Sequence, residues 1–245
     1  MMDKTYRIAD HNLRIQSLFE PVHSIFREYE VSGEPEFCIA VTQSDIDAER
    51  EKAAISNNQE GRTTKKRSDE YLETLAVYRK IAEKMLDYDT ILFHGSVIAV
   101  DGKGYLFTAK SGTGKSTHTR LWRQLLGEKD IMINDDKPLI HISDSGAVIY
   151  GTPWNGKHAL GNNCSAQLEA ICKLERAEQN HIQKISGSEA LPFLLQQSYK
   201  PCSTENMIKT LSLLDKLIKN VRFYRLQCNK DLEAARVSWE AMRSP

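Results

Sequence analysis

The chain has 245 residues, with 33 Lys and Arg set against 33 Asp and Glu, so the formal net charge is zero. That balance excludes a global basic field for nucleic acid and an acidic tail. Hydrophobic residues make up 40% and charged residues 27%, the composition of a soluble globular protein long enough for one large domain or two small ones. No apolar run approaches the ~20 residues a membrane span needs, so no membrane partner is expected. The start, MMDKTYRIADHNLRIQ, has no apolar signal core. Cys38, Cys164, Cys172, Cys202 and Cys228 are odd in number and lack CxxC spacing. They read as reduced thiols of a cytoplasmic protein, not as a disulfide frame or a zinc site.

Along the chain, Tyr6–Phe19 reads as strand material with polar interruptions, Phe37–Val41 as a short apolar strand and Gln43–Ala54 as a helix. The polar stretch Ser56–Asp69, with Arg62, Lys65, Lys66 and Arg67, reads as a solvated loop. Leu72, Leu75, Tyr78, Ile81 and Met85 recur at helical spacing across Tyr71–Leu86. Ile91–Val100 is a strand-like run, Asp101-Gly102-Lys103-Gly104 a hairpin turn and Tyr105–Thr108 the returning strand. Ser116–Leu126 follows as a helix stopped by Gly127, and Ile131–Ile133 as a buried strand. Lys137–Ile142 and Ala147–Gly151 form a second hairpin, and Ala166–Leu174 is a strand. The C-terminal part reads as helices Ser188–Gln197, Glu205–Lys219 and Leu232–Met242, with strand Arg222–Leu226 between the last two.

Chemistry concentrates in Ala109-Lys110-Ser111-Gly112-Thr113-Gly114-Lys115-Ser116, which fits the phosphate-loop pattern with Ala in the first glycine position. An apolar strand precedes it and an amphipathic helix follows. Glycines let the backbone wrap a phosphate, while amides and the helix N-terminus supply partial positive charge. Ser111, Gly112, Thr113, Gly114, Lys115, Ser116 and Thr117 are therefore the candidate nucleotide-binding residues. Lys115 is expected on the β- and γ-phosphates and the Ser116 hydroxyl on Mg²⁺. The guanine-reading Asn/Thr-Lys-x-Asp motif is absent from the sequence, which favours ATP.

Hairpin geometry adds partners. With Val100 opposite Tyr105, His94 falls opposite Ser111, beside the loop. The strand after the helix must return to the same edge, carrying Asn134-Asp135-Asp136. With Ile142 opposite Ala147, Asp136 nears Pro153 and Trp154, and the loop Thr152–Lys157 converges there, with Lys157 as a further candidate cation.

The run from His94-Gly95-Ser96-Val97 through GKGYLFTAKSGTGKST to INDDKPLI resembles the catalytic domain of HPr kinase/phosphorylase. ATP-dependent phosphoenolpyruvate carboxykinase shares the arrangement. The close match covers Ile91–Ile142, and through TPWNGKHALGNN to the last helix the chain is similar to bacterial HPr-kinase-like proteins. The resemblance implies an α/β fold: a phosphate-loop mixed sheet of the HPr kinase/carboxykinase type over residues 87–245. A small α+β region over residues 1–86 precedes it. Asp135 then matches the catalytic carboxylate that accepts the attacking hydroxyl's proton. Asp136, with Asp135 and Ser116, matches the metal-binding set. His94 matches the active-site histidine, and Lys115 joins the catalytic group. The family tends to assemble, which implies a homo-oligomer. TPWNGK replaces the Arg-Gly-rich signature of HPr kinase, and the oxaloacetate-binding arginines of carboxykinase are absent, so the acceptor is not carried over. The resulting expectation is an ATP- and Mg-dependent phosphotransferase acting on a hydroxyl, serine in a protein, peptide or free amino acid. The rivals are a nucleotide-gated regulatory protein and a carboxykinase-like lyase.

Overall fold

Two residues with positive φ, Ala9 at 47° and Asp10 at 66°, turn the first strand back on itself. Strand β1 (Met2–Ile8) pairs antiparallel with β2 (His11–Ser17), where a single stretch was expected, and β2 pairs parallel with β3 (Phe37–Ala40). The short helix α1 (Pro21–Ile25) lies between β2 and β3, and helices α2 (Gln43–Gln59) and α3 (Asp69–Met85) follow. In the computed structural model, residues 2–59, 67–156 and 159–244 are described. Helix α2 runs on through Ser56–Gln59, which the polar composition had assigned to a loop. Arg62, Lys65 and Lys66 lie outside the described residues, and Arg67 stacks over Tyr71 at 5.5 Å. The chain forms two units, Met1–Lys84 and Met85–Pro245. In the first, Tyr6, Ile8, Leu13, Ile15, Val22 and Phe26 are buried among the core residues. Its buried polar groups are paired: Tyr6 Oη lies 2.6 Å from His23 Nδ1 and Ser17 Oγ 2.8 Å from His23 Nε2. The buried Glu73 carboxylate accepts the amides of Leu18 and Phe19.

The second unit is a mixed α/β fold. Its strands are β4 (Thr90–Leu92), β5 (Ser96–Val100), β6 (Lys103–Thr108), β7 (Asp130–Asn134), β8 (Leu139–Ser143), β9 (Gly146–Tyr150), β10 (Ser165–Arg176), β11 (His181–Ile185) and β12 (Arg222–Cys228). Its helices are α4 (Lys115–Leu126), α5 (Gly187–Gln197), α6 (Thr204–Asn220) and α7 (Leu232–Arg243). The sheet order is β4-β8-β9-β10-β6-β5-β7, with β12 also beside β10 and β11 beyond it. Period-2 alternation divides its apolar residues between two layers. Val97, Ala99, Leu106 and Ile171 face Phe193, Leu194, Leu213 and Leu217 of α5 and α6. Ile98, Val100, Tyr105 and Phe107 face Leu121 and Trp122 of α4 and Ala235 and Met242 of α7. Strands buried on both faces read as continuous apolar runs, which is the character of SVIAV and GYLFT.

The first hairpin is tighter than expected. Asp101 (φ 51°) and Gly102 (φ 76°) make a two-residue turn, so Val100 pairs with Lys103, not Tyr105. The run Ile91–Val100 is also not one strand. It breaks at Phe93-His94-Gly95, where the chain passes from β8, the partner of β4, to β6 and β7, the partners of β5. A Cβ on Gly95 would stand 2.9 Å from Leu106 Cδ2 and 3.0 Å from Phe107 O, so the crossing has no room for a side chain.

Strand directions set the site. β5 is antiparallel to both β6 and β7, so β6 and β7 run the same way, and β10 and β12 run parallel to β6. The C-terminal ends of β12, β10, β6 and β7 and the start of β5 therefore share one edge of the sheet.

Candidate functional site

At that edge, β6 runs into the loop Ala109–Gly114 and then α4. Gly112 (φ 78°) and Gly114 (φ 126°) hold backbone conformations that disfavour side chains, and a Cβ on either would meet nothing within 4 Å. The loop thus wraps open space at a helix N-terminus, where unpaired amides and the helix dipole attract an anion. Thr113 N donates to Lys110 O at 3.1 Å. Arg176, the last residue of β10, fixes the tip: its Nε donates to Thr113 O at 3.1 Å and its Nη2 to Gly112 O. Ser111 and Ser116 are exposed and Thr117 is half-buried in the first turn of α4. Lys115 Nζ reaches Ala109 O at 3.4 Å. Burial pushes the Lys115 amine below its ordinary value, against the pull of Asp136.

Next along the edge are His94 and the two aspartates. The tighter hairpin shifts His94 by two residues, toward Ala109 and not Ser111, and Thr108 Oγ1 donates to His94 O at 2.8 Å. Asp135 is 4% exposed, and Ser96 Oγ lies 2.9 Å from its Oδ1 and 3.1 Å from its main-chain O. The carboxylate beside His94 is Asp136, whose Oδ1 lies 3.4 Å from His94 Nε2. Burial raises the Asp136 carboxyl, but His94, Lys137 and Lys115 outweigh it and hold the group below its ordinary value. Burial also pushes the Lys137 amine down.

Asn134 organises the turn after β7. Its Oδ1 accepts from the amides of Asp136 and Lys137 at 2.8 and 2.7 Å, and its Nδ2 donates to Thr152 O at 3.1 Å. Thr152 Oγ1 donates to Lys137 O at 2.7 Å, which continues the expected register of Ile142 opposite Ala147. The following loop closes on the aspartates: a Cβ on Gly156 would stand 3.5 Å from Asp135 Oδ2 and 3.6 Å from Asp136 Cβ. Trp154 N lies 3.3 Å from Thr152 Oγ1. Lys157 lies outside the described residues.

The edge therefore brings together the glycine loop, Lys115, Ser116, His94, Asp135 and Asp136. Arg176 and Gln197 had no signal in the sequence. Gln197, at the end of α5, places Oε1 2.7 Å from His94 Nδ1 and accepts the His94 amide at its main-chain oxygen at 2.8 Å. Only the tertiary fold joins positions so far apart. Chemically, the group can hold an anion, offer oxygen ligands to a hard cation and accept a proton. Among the described residues no cluster of three or more His, Cys, Asp or Glu could hold a metal by itself, and no helix is long and apolar enough to cross a membrane.

No protein-family model matches the chain, and no curated protein matches it. Among solved structures it is similar to the HPr(Ser) kinase/phosphatase from Coxiella burnetii, a distant structural likeness. The identity is 10%, the coverage 61% of this chain and 95% of that chain, and the TM-score 0.36.

Proposed function

We propose that the chain is an ATP- and Mg²⁺-dependent phosphotransferase that phosphorylates a hydroxyl, serine in a protein, a peptide or the free amino acid. The observation that carries this reading is one juxtaposition. An open glycine loop ending in Lys115-Ser116 shares a sheet edge with Asp135, Asp136 and His94. Phosphoryl transfer asks mainly for positioning and charge neutralisation, and these are the groups it uses. In this reading the phosphate loop, Ser111 to Thr117, cradles the β- and γ-phosphates, and Lys115 neutralises the charge that develops on them. Lys157 is proposed as a further cation on the nucleotide.

The donor set fits magnesium, which takes one or two carboxylates with phosphate and water oxygens and needs no all-protein cage. Ser116 and Asp136, with Asp135, would hold the ion, and bound magnesium would supply charge neutralisation on the transferred group. Asp135 would accept the acceptor's proton, and His94 would orient that hydroxyl. One observation favours a second division of labour: Asp135 is buried beneath Ser96, while Asp136 faces His94. In that version Asp136 takes the proton and Asp135 supports the metal. Residues 1–86 would recognise the acceptor or a partner, and residues 87–245 would carry the chemistry.

The test is mass spectrometry of serine-bearing proteins, peptides and free serine after incubation with the chain, ATP and Mg²⁺. One acceptor should gain a phosphoryl group, and His94→Asn should bind ATP yet transfer poorly. ATP bound tightly with no transfer to any acceptor and no hydrolysis would replace this reading by a nucleotide-gated regulator.

A further inference from the structure

We propose that Arg176, at the end of β10, is a positioning residue for the phosphate donor: its guanidinium holds the peptide units on either side of Thr113 so that the loop turns amides, and not carbonyls, to the anion. The inference rests on the nucleotide reading above and adds a residue, remote in sequence, that sets the shape of the phosphate loop. A planar trans peptide points its N–H opposite to its C=O. Arg176 takes the carbonyls of both units, with Nη2 donating to Gly112 O and Nε to Thr113 O at 3.1 Å. The N–H of the first unit, from Thr113, is thereby directed away from Arg176 and closes the turn on Lys110 O at 3.1 Å. The N–H of the second, from Gly114, also points away from Arg176 and has no acceptor among the described residues. It joins the unpaired amides at the start of α4, which in the nucleotide reading face the phosphate.

The loop's own sequence leaves these units free to turn. Each has a glycine on one side, Gly112 at φ 78° or Gly114 at φ 126°, and glycine offers little steric resistance to rotation. No packing holds the loop at these two positions, since a Cβ on either would meet nothing within 4 Å. A unit that turned over would present its carbonyl oxygen to the anion and repel it. The restraint comes from outside the loop. The main chain of Arg176 is fixed by its pairing with Cys228 of β12, and Ala177 N donates to Cys228 O at 3.0 Å. Its guanidinium makes no ion pair with a carboxylate among the described residues, because the adjacent Glu175 is engaged by Lys173 at 2.7 Å and by Arg225 at 3.8 Å. A planar guanidinium holds two carbonyls at once in a fixed geometry, whereas an ammonium is a point charge without one. The loop therefore uses the shape of the fork as well as its charge. Arg176 acts through the loop and not on the reacting atoms.

The experiment measures binding of inorganic tripolyphosphate, which carries the phosphates and lacks the nucleoside, by calorimetry. Arg176→Ala and Arg176→Lys should both bind it at least about tenfold more weakly than the wild type, with unchanged melting temperatures. Millimolar methylguanidinium chloride should recover most of the affinity lost in Arg176→Ala, and sodium chloride at the same concentration should not. Wild-type affinity in Arg176→Lys shows that charge suffices, and wild-type affinity in Arg176→Ala shows that the loop holds itself; either result overturns the proposal. A loss that follows a lowered melting temperature and resists methylguanidinium is a general loss of structure and overturns it as well. All three results leave the nucleotide reading standing. That reading fails, and this proposal with it, if the wild-type chain binds neither tripolyphosphate nor ATP, or if Lys115→Ala binds tripolyphosphate as the wild type does.

Discussion

Ser96 Oγ lies 2.9 Å from Asp135 Oδ1, a bond between the start of β5 and the residue that follows β7. It engages one oxygen of a buried carboxylate, while the next residue, Asp136, stays partly open and faces His94. Two adjacent carboxylates in such different settings are expected to act differently. Asp136→Asn should raise the Mg²⁺ concentration needed for half-maximal transfer, because a hard anionic ligand is lost. Asp135→Asn should lower the transfer rate by about 10²–10⁴ with little change in ATP affinity, because a lost base acts in the transition state. Mg²⁺ titrations that shift identically in both variants refute this division, and the reverse pattern establishes the exchanged roles.

Lys115 carries a charge that burial disfavours, and the one hydrogen bond described for its amine is a long one to Ala109 O. Removing it costs the fold little. Lys115→Ala should melt at the wild-type temperature or slightly above. ATP affinity should fall at least about tenfold, since in the proposed function the amine's favourable partner is the nucleotide phosphate. Calorimetry checks this, and unchanged binding with unchanged turnover rejects the phosphate-loop assignment.

Much of the second unit is legible in sequence because its strands are buried on both faces and its glycines punctuate them. GYLFT, the glycine loop and the helix after it could be read in order, and so could the turn between Ile142 and Ala147. The residues that escaped follow from physical causes. Ala9-Asp10 is a left-handed turn without the glycine that usually announces one, so β1 and β2 read as one stretch. β11, HIQKI, has mostly exposed or half-exposed residues and therefore looks polar. Asp101-Gly102 was recognised as a turn, but its length was not, and the pairing of His94 moved by two residues. Gln197 and Arg176 reach the site only through packing between segments remote in sequence.

Gly95 tests the crossing that delivers His94. Gly95→Ala places a methyl group against Leu106 Cδ2 and the Phe107 carbonyl, and the backbone partner cannot move without disturbing the β5–β6 pairing. The expected loss of stability is about 1–3 kcal/mol, read from urea unfolding. Because His94 N and Gly95 N are bound to Gln197 O and Asp136 O, transfer should fall more than ATP affinity does. Unchanged stability means that the crossing has more room than these distances show.

His118 predicts how the second unit responds to acid. It is 2% exposed, stacks edge-on against Phe107 at 4.8 Å, and burial pushes its pKa down to about 3. In the unfolded chain the same imidazole titrates near its ordinary value of ~6.5. Between those values the unfolded state binds a proton that the native state refuses, so stability rises with pH across that window and falls as pH drops through it. The contribution to the slope is at most about 1.4 kcal/mol per pH unit. His118→Phe keeps a ring against Phe107 and leaves Ser238 Oγ the Trp122 Nε1 donor at 2.7 Å. Its unfolding free energy should therefore decline less steeply than that of the wild type between about pH 6 and pH 4. Asp136, held below its ordinary value, loses its contribution only as the pH falls below about 4, beneath this range, and does so in both proteins. Parallel urea denaturation series across that range decide the point: superimposable pH slopes show that His118 does not control the acid response.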